Sequence, residues 1–316
     1  MHGSPITLGP LTGLSYPVTD PVTDPVTGKV SVPVATVVMT HGLGLGPWIF
    51  DPWLSLFAAW KLHVITLTMP GHTPGQPDDT VSLKSCADAV ADALRTVSGP
   101  VVLLGHSMSG LVAQMVAARP DMQGLHGVVL VCPTPPGQVR MTVRAEQLRH
   151  GLPLLRALWG RSVRPSFSGF RELGMNQMTE ADARVAFDAS VPWPAALVRE
   201  FLRRPQIDAE AITLPMVVAI GLHDRVLPWQ KVRVLGDLYE AVVWRYDDLG
   251  HMPMLEPGGI RMGRDLARWC ASPTRPQVIE SEGFGPSEGI GHLLRRARRG
   301  ELMKRRSAYG QKKTAR

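Results

Sequence analysis

Pro100-Val101-Val102-Leu103-Leu104 runs into Gly105-His106-Ser107-Met108-Ser109-Gly110, which is followed at once by Leu111-Val112-Ala113-Gln114-Met115-Val116-Ala117-Ala118. The first five residues read as a buried strand and the last eight as an apolar helix. The six between them read as a tight turn of small side chains. Small residues around Ser107 allow a strained backbone there, which lifts its hydroxyl out of the fold as a nucleophile elbow does. The match to G-x-S-x-G is imperfect, because Ser109 stands where the last glycine belongs and Gly110 comes one place later. A structural turn between a packed strand and helix would look much the same, so the rest of the chain has to decide.

Outward from the elbow, strands and helices alternate. Residues 82–98 place Leu83, Ala87, Val90, Ala91, Leu94 and Val97 at three-to-four spacing, the pattern of an amphipathic helix. Farther upstream, the β-rich run Thr36-Val37-Val38-Met39-Thr40 precedes His41-Gly42-Leu43-Gly44-Leu45-Gly46, then a helix over 52–60, a strand over 63–68 and a Pro/Gly-rich loop over 69–79. Downstream, residues 127–132, 214–220 and 241–246 read as strands and 261–270 as a last helix. This rhythm predicts an α/β fold with a doubly wound, mostly parallel sheet, whose ligands sit at the carboxyl ends of the strands.

Periodicity breaks over 137–206, where short helical stretches at 145–159, 179–188 and 195–202 replace strands. A helical lid over the carboxyl edge of the sheet is the expectation for this insertion. The α/β core is thus expected over 29–136 and 207–276. Residues 1–28 form an N-terminal extension, in which 17–28 repeat Pro-Val-Thr three times and read as an edge strand or extended loop. Residues 277–316 are expected to be a basic, disordered tail.

Two further segments give the elbow partners. Gly221-Leu222-His223-Asp224-Arg225 follows the strand ending near residue 220, and Gly250-His251-Met252-Pro253-Met254-Leu255-Glu256 follows the strand ending near residue 246. The order is serine, acid, histidine. Asp247 and Asp248 lie closer to His251 in sequence, but the acid must reach the imidazole from its own strand end.

With these segments the chain resembles the α/β-hydrolase superfamily over nearly all of residues 30–275. The family's His-Gly motif is matched by His41-Gly42, its Pro-Gly-His loop by Pro70-Gly71-His72, and its elbow, acid and histidine segments by the three stretches above. The surroundings of Trp48, Pro70-Gly71-His72 and His251-Met252-Pro253-Met254-Leu255 look most like small-molecule esterases and the methylesterase and hydroxynitrile-lyase branch. The resemblance implies Ser107 as nucleophile, His251 as its base and Asp224 as the group that orients the imidazole. It also implies backbone amides of Leu43 and Met108 as oxyanion donors, each worth about 100- to 1,000-fold in rate. Trp48 and His106 are the candidate substrate contacts, and Trp53, Phe57 and Trp60 share the helical spacing of a core face, with the lining of an acyl pocket as the alternative.

The implied activity is hydrolysis of a small-molecule carboxylic ester through an acyl-enzyme, without metal or cofactor. The same triad also serves C–C hydrolysis, lyase and perhydrolase chemistry, and a non-catalytic ligand-binding homologue is a further alternative.

Composition narrows the partners. The net charge of +7 is concentrated in residues 289–316, which hold ten Lys or Arg against Glu301 alone, leaving −2 for residues 1–288. No specific nucleic-acid binding is expected, and weak contact of the tail with an anionic surface is the most its composition implies. Over 137–165, Arg140, Arg144, Arg149, Arg156, Arg161 and Arg164 face Glu146 alone, a solvated basic face or a site for an acidic substrate. Cys86, Cys132 and Cys270 lack disulfide or zinc spacing, and no signal peptide or membrane span is evident, so a cytoplasmic location is expected.

Overall fold

The computed structural model describes residues 2–18, 34–76, 78–141 and 145–273. Eight strands form one sheet in the order β1-β2-β4-β3-β5-β6-β7-β8: β1 (Ser4–Leu8), β2 (Leu11–Tyr16), β3 (Ala35–Thr40), β4 (Leu62–Leu67), β5 (Val101–His106), β6 (Leu125–Val131), β7 (Met216–Gly221) and β8 (Val242–Tyr246). From β4 to β8 every pairing is parallel, while β1 and β2 form a hairpin that adds antiparallel to β4. The sheet is therefore mostly parallel, as the alternation requires. The hairpin is a finding beyond the sequence reading. Most of the Pro-Val-Thr repeat and all of the basic tail beyond residue 273 lie outside the described residues.

The central strands read as unbroken apolar runs because both faces of the sheet are covered. Along β5, Val101 and Leu103 enter the core on one face while Val102 and Leu104 enter the core on the other. The first face is covered by α2 (Leu83–Arg95) and α3 (Met108–Ala117), the second by α1 (Asp51–Ala58) and α10 (Gly259–Ala271). Ser82 starts α2 through a reciprocal cap, its Oγ accepting from the Ser85 amide at 3.0 Å while Ser85 Oγ accepts from the Ser82 amide at 2.9 Å. Trp53 and Phe57, on the expected apolar stripe, are fully buried, and Trp53 Nε1 donates to the Gly259 carbonyl of α10 at 3.0 Å.

Between β6 and β7 the chain makes α4 (Ala145–His150), a 3₁₀ helix (Leu152–Trp159), α5 (Phe167–Gly169), a π-helical turn (Phe170–Gly174), α6 (Glu180–Asp188) and α7 (Ala195–Leu202). α8 (Trp229–Val232) and α9 (Val234–Tyr239) then link β7 to β8. The Asp79 carboxylate ties the insertion to the core by accepting from the Ala195 amide at 2.9 Å and the Ser162 amide at 3.1 Å. Among the described residues no helix is long and apolar enough to cross a membrane.

Candidate active site

β5 ends at His106 and α3 begins at Met108, so the reversal falls on Ser107, with φ +53° and ψ −117°. A side chain at such a φ costs on the order of 1–3 kcal/mol and persists only where its surroundings impose it. Here the end of β6 supplies the constraint: the Val131 carbonyl accepts from the Ser107 amide at 3.0 Å, and the Thr134 amide donates to the Ser107 carbonyl at 2.9 Å. The turn also needs close backbone approach. A Cβ on Gly105 would lie 2.3 Å from the Ser109 carbonyl oxygen, and one on Gly110 would lie 2.5 Å from Pro133 Cβ. Position 109 carries no such demand, and Ser109 Oγ donates to the His41 carbonyl. The one departure from the elbow pattern thus ties the elbow to the loop after β3.

Asp224 lies just past β7. Its Oδ1 accepts from the amides of Val226 and Leu227, both at 2.8 Å, which fixes the carboxylate and leaves Oδ2 to meet His251 Nδ1 at 2.8 Å. His251 Nε2 lies 3.0 Å from Ser107 Oγ. With Nδ1–H donating to the carboxylate, Nε2 is the acceptor facing the hydroxyl. All three side chains are buried. Asp247 and Asp248 instead pair with Arg261 at the surface, at 3.4 and 2.6 Å.

The backbone around His251 is held by two buried side chains. Glu256 Oε2 accepts from the Gly250 amide at 2.6 Å and Oε1 from the Met252 amide at 3.0 Å, while His106 Nε2 donates to the His251 carbonyl at 2.8 Å. Burial pushes the Glu256 carboxyl up to about 7 against the opposing pull of those two amides. Burial and the neighbouring His251 push His106 down to about 3, so it is a neutral donor. His106 has no exposed surface, and its ring lies against His251 on one side and Gly42 on another. Glu256 was not singled out from sequence. An acid at the end of the apolar run Met252-Pro253-Met254-Leu255 was the available signal, because a carboxylate folded in with such residues must find donors.

The loop after β3 reaches the same place. His41 Nδ1 donates to the Gly42 carbonyl at 2.9 Å and its Nε2 accepts from the Met69 amide at 3.0 Å, so the ring is held neutral, with burial keeping it well below the usual imidazole range. A Cβ on Gly42 would lie 2.9 Å from Ser107 Cβ, which sets the peptide leading to Leu43 beside the hydroxyl. Among the described residues the Leu43 amide meets no acceptor. Met108 opens α3, where the first amides of a helix lack an intrahelical acceptor. The insertion covers this loop: the Val191 amide donates to the Gly44 carbonyl at 2.9 Å, and the Trp193 indole rests on Gly44.

Other sequence candidates fall outside this cluster. Trp48 lines a shallow groove of about 390 Å³ with Thr12, Leu14, Tyr16, Pro47 and Asp51, and none of its lining residues belongs to the Ser107–His251–Asp224 chain. Trp60 is exposed, His72 packs edge-on against His41, and His223 is exposed beside Asp224. Among the described residues no group of three or more His, Cys, Asp or Glu is placed to hold a metal ion.

A family model described as "Alpha/beta hydrolase family" matches residues 37–261. The chain is 26% identical over 213 residues to phospholipase YtpA of Bacillus subtilis, covering 62% of this chain and 78% of the relative. It is 37% identical over 90 residues to a pimeloyl-[acyl-carrier protein] methyl ester esterase of Neisseria meningitidis, spanning 28% of this chain and about a quarter of that relative (27%). Among solved structures, the esterase EaEST of Exiguobacterium antarcticum aligns over 86% of this chain and 100% of its own with a TM-score of 0.65 and 14% identity. The Paleococcus ferrophilus monoacylglycerol lipase aligns over 84% of this chain and 99% of its own with a TM-score of 0.61 and 18% identity. With a parallel sheet that carries a serine on a strained strand-to-helix turn, and a family match over most of its length, the chain is a hydrolase of the alpha/beta hydrolase family.

Proposed function

We propose that this chain hydrolyses a carboxylic ester of a small molecule through an acyl-enzyme on Ser107. The observation that carries the reading is the continuous line Asp224 Oδ2, His251 Nδ1, His251 Nε2, Ser107 Oγ, with steps of 2.8 and 3.0 Å. Ser107 Oγ attacks the acyl carbon as its proton passes to His251 Nε2, and the resulting imidazolium is stabilised by Asp224. The amides of Leu43 and Met108 receive the oxyanion. His251 then protonates the departing alkoxide, and the alcohol leaves. A water molecule that gives its proton to His251 cleaves the acyl-enzyme, releasing the carboxylic acid and restoring Ser107.

The relatives' names, a phospholipase and a methyl ester esterase, support ester chemistry. Residues 137–206 serve as the lid over this site, through the contacts of Val191 and Trp193 with Gly44. The test is turnover of p-nitrophenyl esters of graded chain length. Wild type is expected to hydrolyse at least one chain length, with Ser107→Ala slower by at least about 1,000-fold. A folded wild type inert toward the whole series, or a Ser107→Ala variant of equal activity, would overturn the reading.

A further inference from the structure

The insertion places apolar side chains in water along one short stretch. Ten large apolar residues are exposed among the described residues, and four of them, Leu148 (67%), Leu155 (47%), Leu158 (58%) and Trp159 (73%), lie within residues 148–159. The helix Leu152–Trp159 is 3₁₀, so residues three apart share a face. Leu154 and Ala157 form the inner face, packed with Val163, Ala195 and Val198. The Ala157 carbonyl also accepts from Arg199 Nη1 at 2.6 Å, which holds that face to α7. Leu155 and Leu158 form a second face, Arg156 and Trp159 a third, and both of these look outward. Arg156 and Arg161 are exposed and form no ion pair among the described residues.

We propose that this edge docks the protein onto an anionic phospholipid bilayer, with Leu155, Leu158 and Trp159 entering the interface and Arg156 and Arg161 meeting lipid phosphates. The charge of the patch selects the occupant. A second copy would bring arginine against arginine, and the chain's own residues 289–316 carry ten basic side chains against one acidic, so neither complements it. Leu155, Leu158 and Trp159 stand in solvent along the outward faces of one short helix. Such a surface, with Leu and Trp outward and cations beside them, suits insertion at the headgroup boundary.

The surface also adjoins the candidate site. Three residues past Gly160, Val163 pairs with Trp193, amide to carbonyl at 2.9 and 2.7 Å, and Trp193 rests on Gly44. The docking proposal stands independently of the chemistry assigned to Ser107.

The experiment is co-sedimentation of the full chain with vesicles of equal parts phosphatidylglycerol and phosphatidylcholine, and with vesicles of phosphatidylcholine alone. Wild type is expected to bind the anionic vesicles, more weakly as salt rises from about 0.05 to about 0.5 M. The Leu155→Ser/Leu158→Ser/Trp159→Ser variant should bind at least about tenfold more weakly, with unchanged thermal unfolding. Four results would overturn the proposal. They are a wild type that ignores anionic vesicles, equal binding to neutral vesicles, a triple variant that binds as tightly as wild type because the tail alone suffices, and capture by poly-glutamate without vesicle binding, which would assign the patch to an acidic protein.

Discussion

Ser107 combines an unfavourable backbone conformation with a hydroxyl aimed at His251, and the two belong together. Held at φ +53° by hydrogen bonds to the end of β6, its Cα projects Oγ toward His251 instead of into the sheet. The strain is specific to residues with a Cβ, so Ser107→Gly is expected to stabilise the fold by about 1 kcal/mol while abolishing turnover. Denaturant unfolding of the variant measures this, and a lower stability than wild type would contradict it. Ser109 gives a second lesson at this scale. It stands where the motif has its last glycine, and its hydroxyl donates to the His41 carbonyl and so couples the elbow to the loop bearing Leu43.

Each candidate catalytic group sits at the carboxyl end of a strand, Ser107 after β5, Asp224 after β7 and His251 after β8, with the Leu43 loop after β3. The His251 segment lies beyond the last residue of β8 and is fixed by two side chains, Glu256 from its own loop and His106 from the end of β5. Glu256→Gln puts an NH2 group where one backbone amide now donates. It should lower kcat by about 10- to 100-fold with little change in KM, because the imidazole is displaced while the substrate pocket is not.

A pH measurement separates this from a general loss of folding. Glu256 holds its proton more tightly folded than unfolded, so wild-type stability should fall as pH rises from the ordinary 4.5 toward about 7, by up to about 3 kcal/mol. The Gln variant should lack that slope. Equal slopes in the two proteins would remove Glu256 from the account.

Across the whole molecule, the parallel strands and the order of the candidate site residues were legible because buried parallel strands are long apolar runs, and because Ser107, Asp224 and His251 each follow one of them. The β1–β2 hairpin was hidden by Pro5, a residue that an edge strand tolerates, although Ile6 and Leu8 alternate as a strand should. Glu256 and Ser109 were not legible as positioning groups, since each acts on a backbone atom brought near only by folding. Trp53 and Phe57 were read as core or pocket, and packing of α1 against α10 decided for core.

Whether Ser107 is a nucleophile activated through His251 and Asp224 is decided by labelling the native chain with a fluorophosphonate and mapping the modified peptide by mass spectrometry. One adduct is expected, on Ser107, abolished in Ser107→Ala and slowed by at least about 100-fold in His251→Ala. A folded wild type that stays unlabelled, or an adduct on another serine that survives Ser107→Ala, would contradict it.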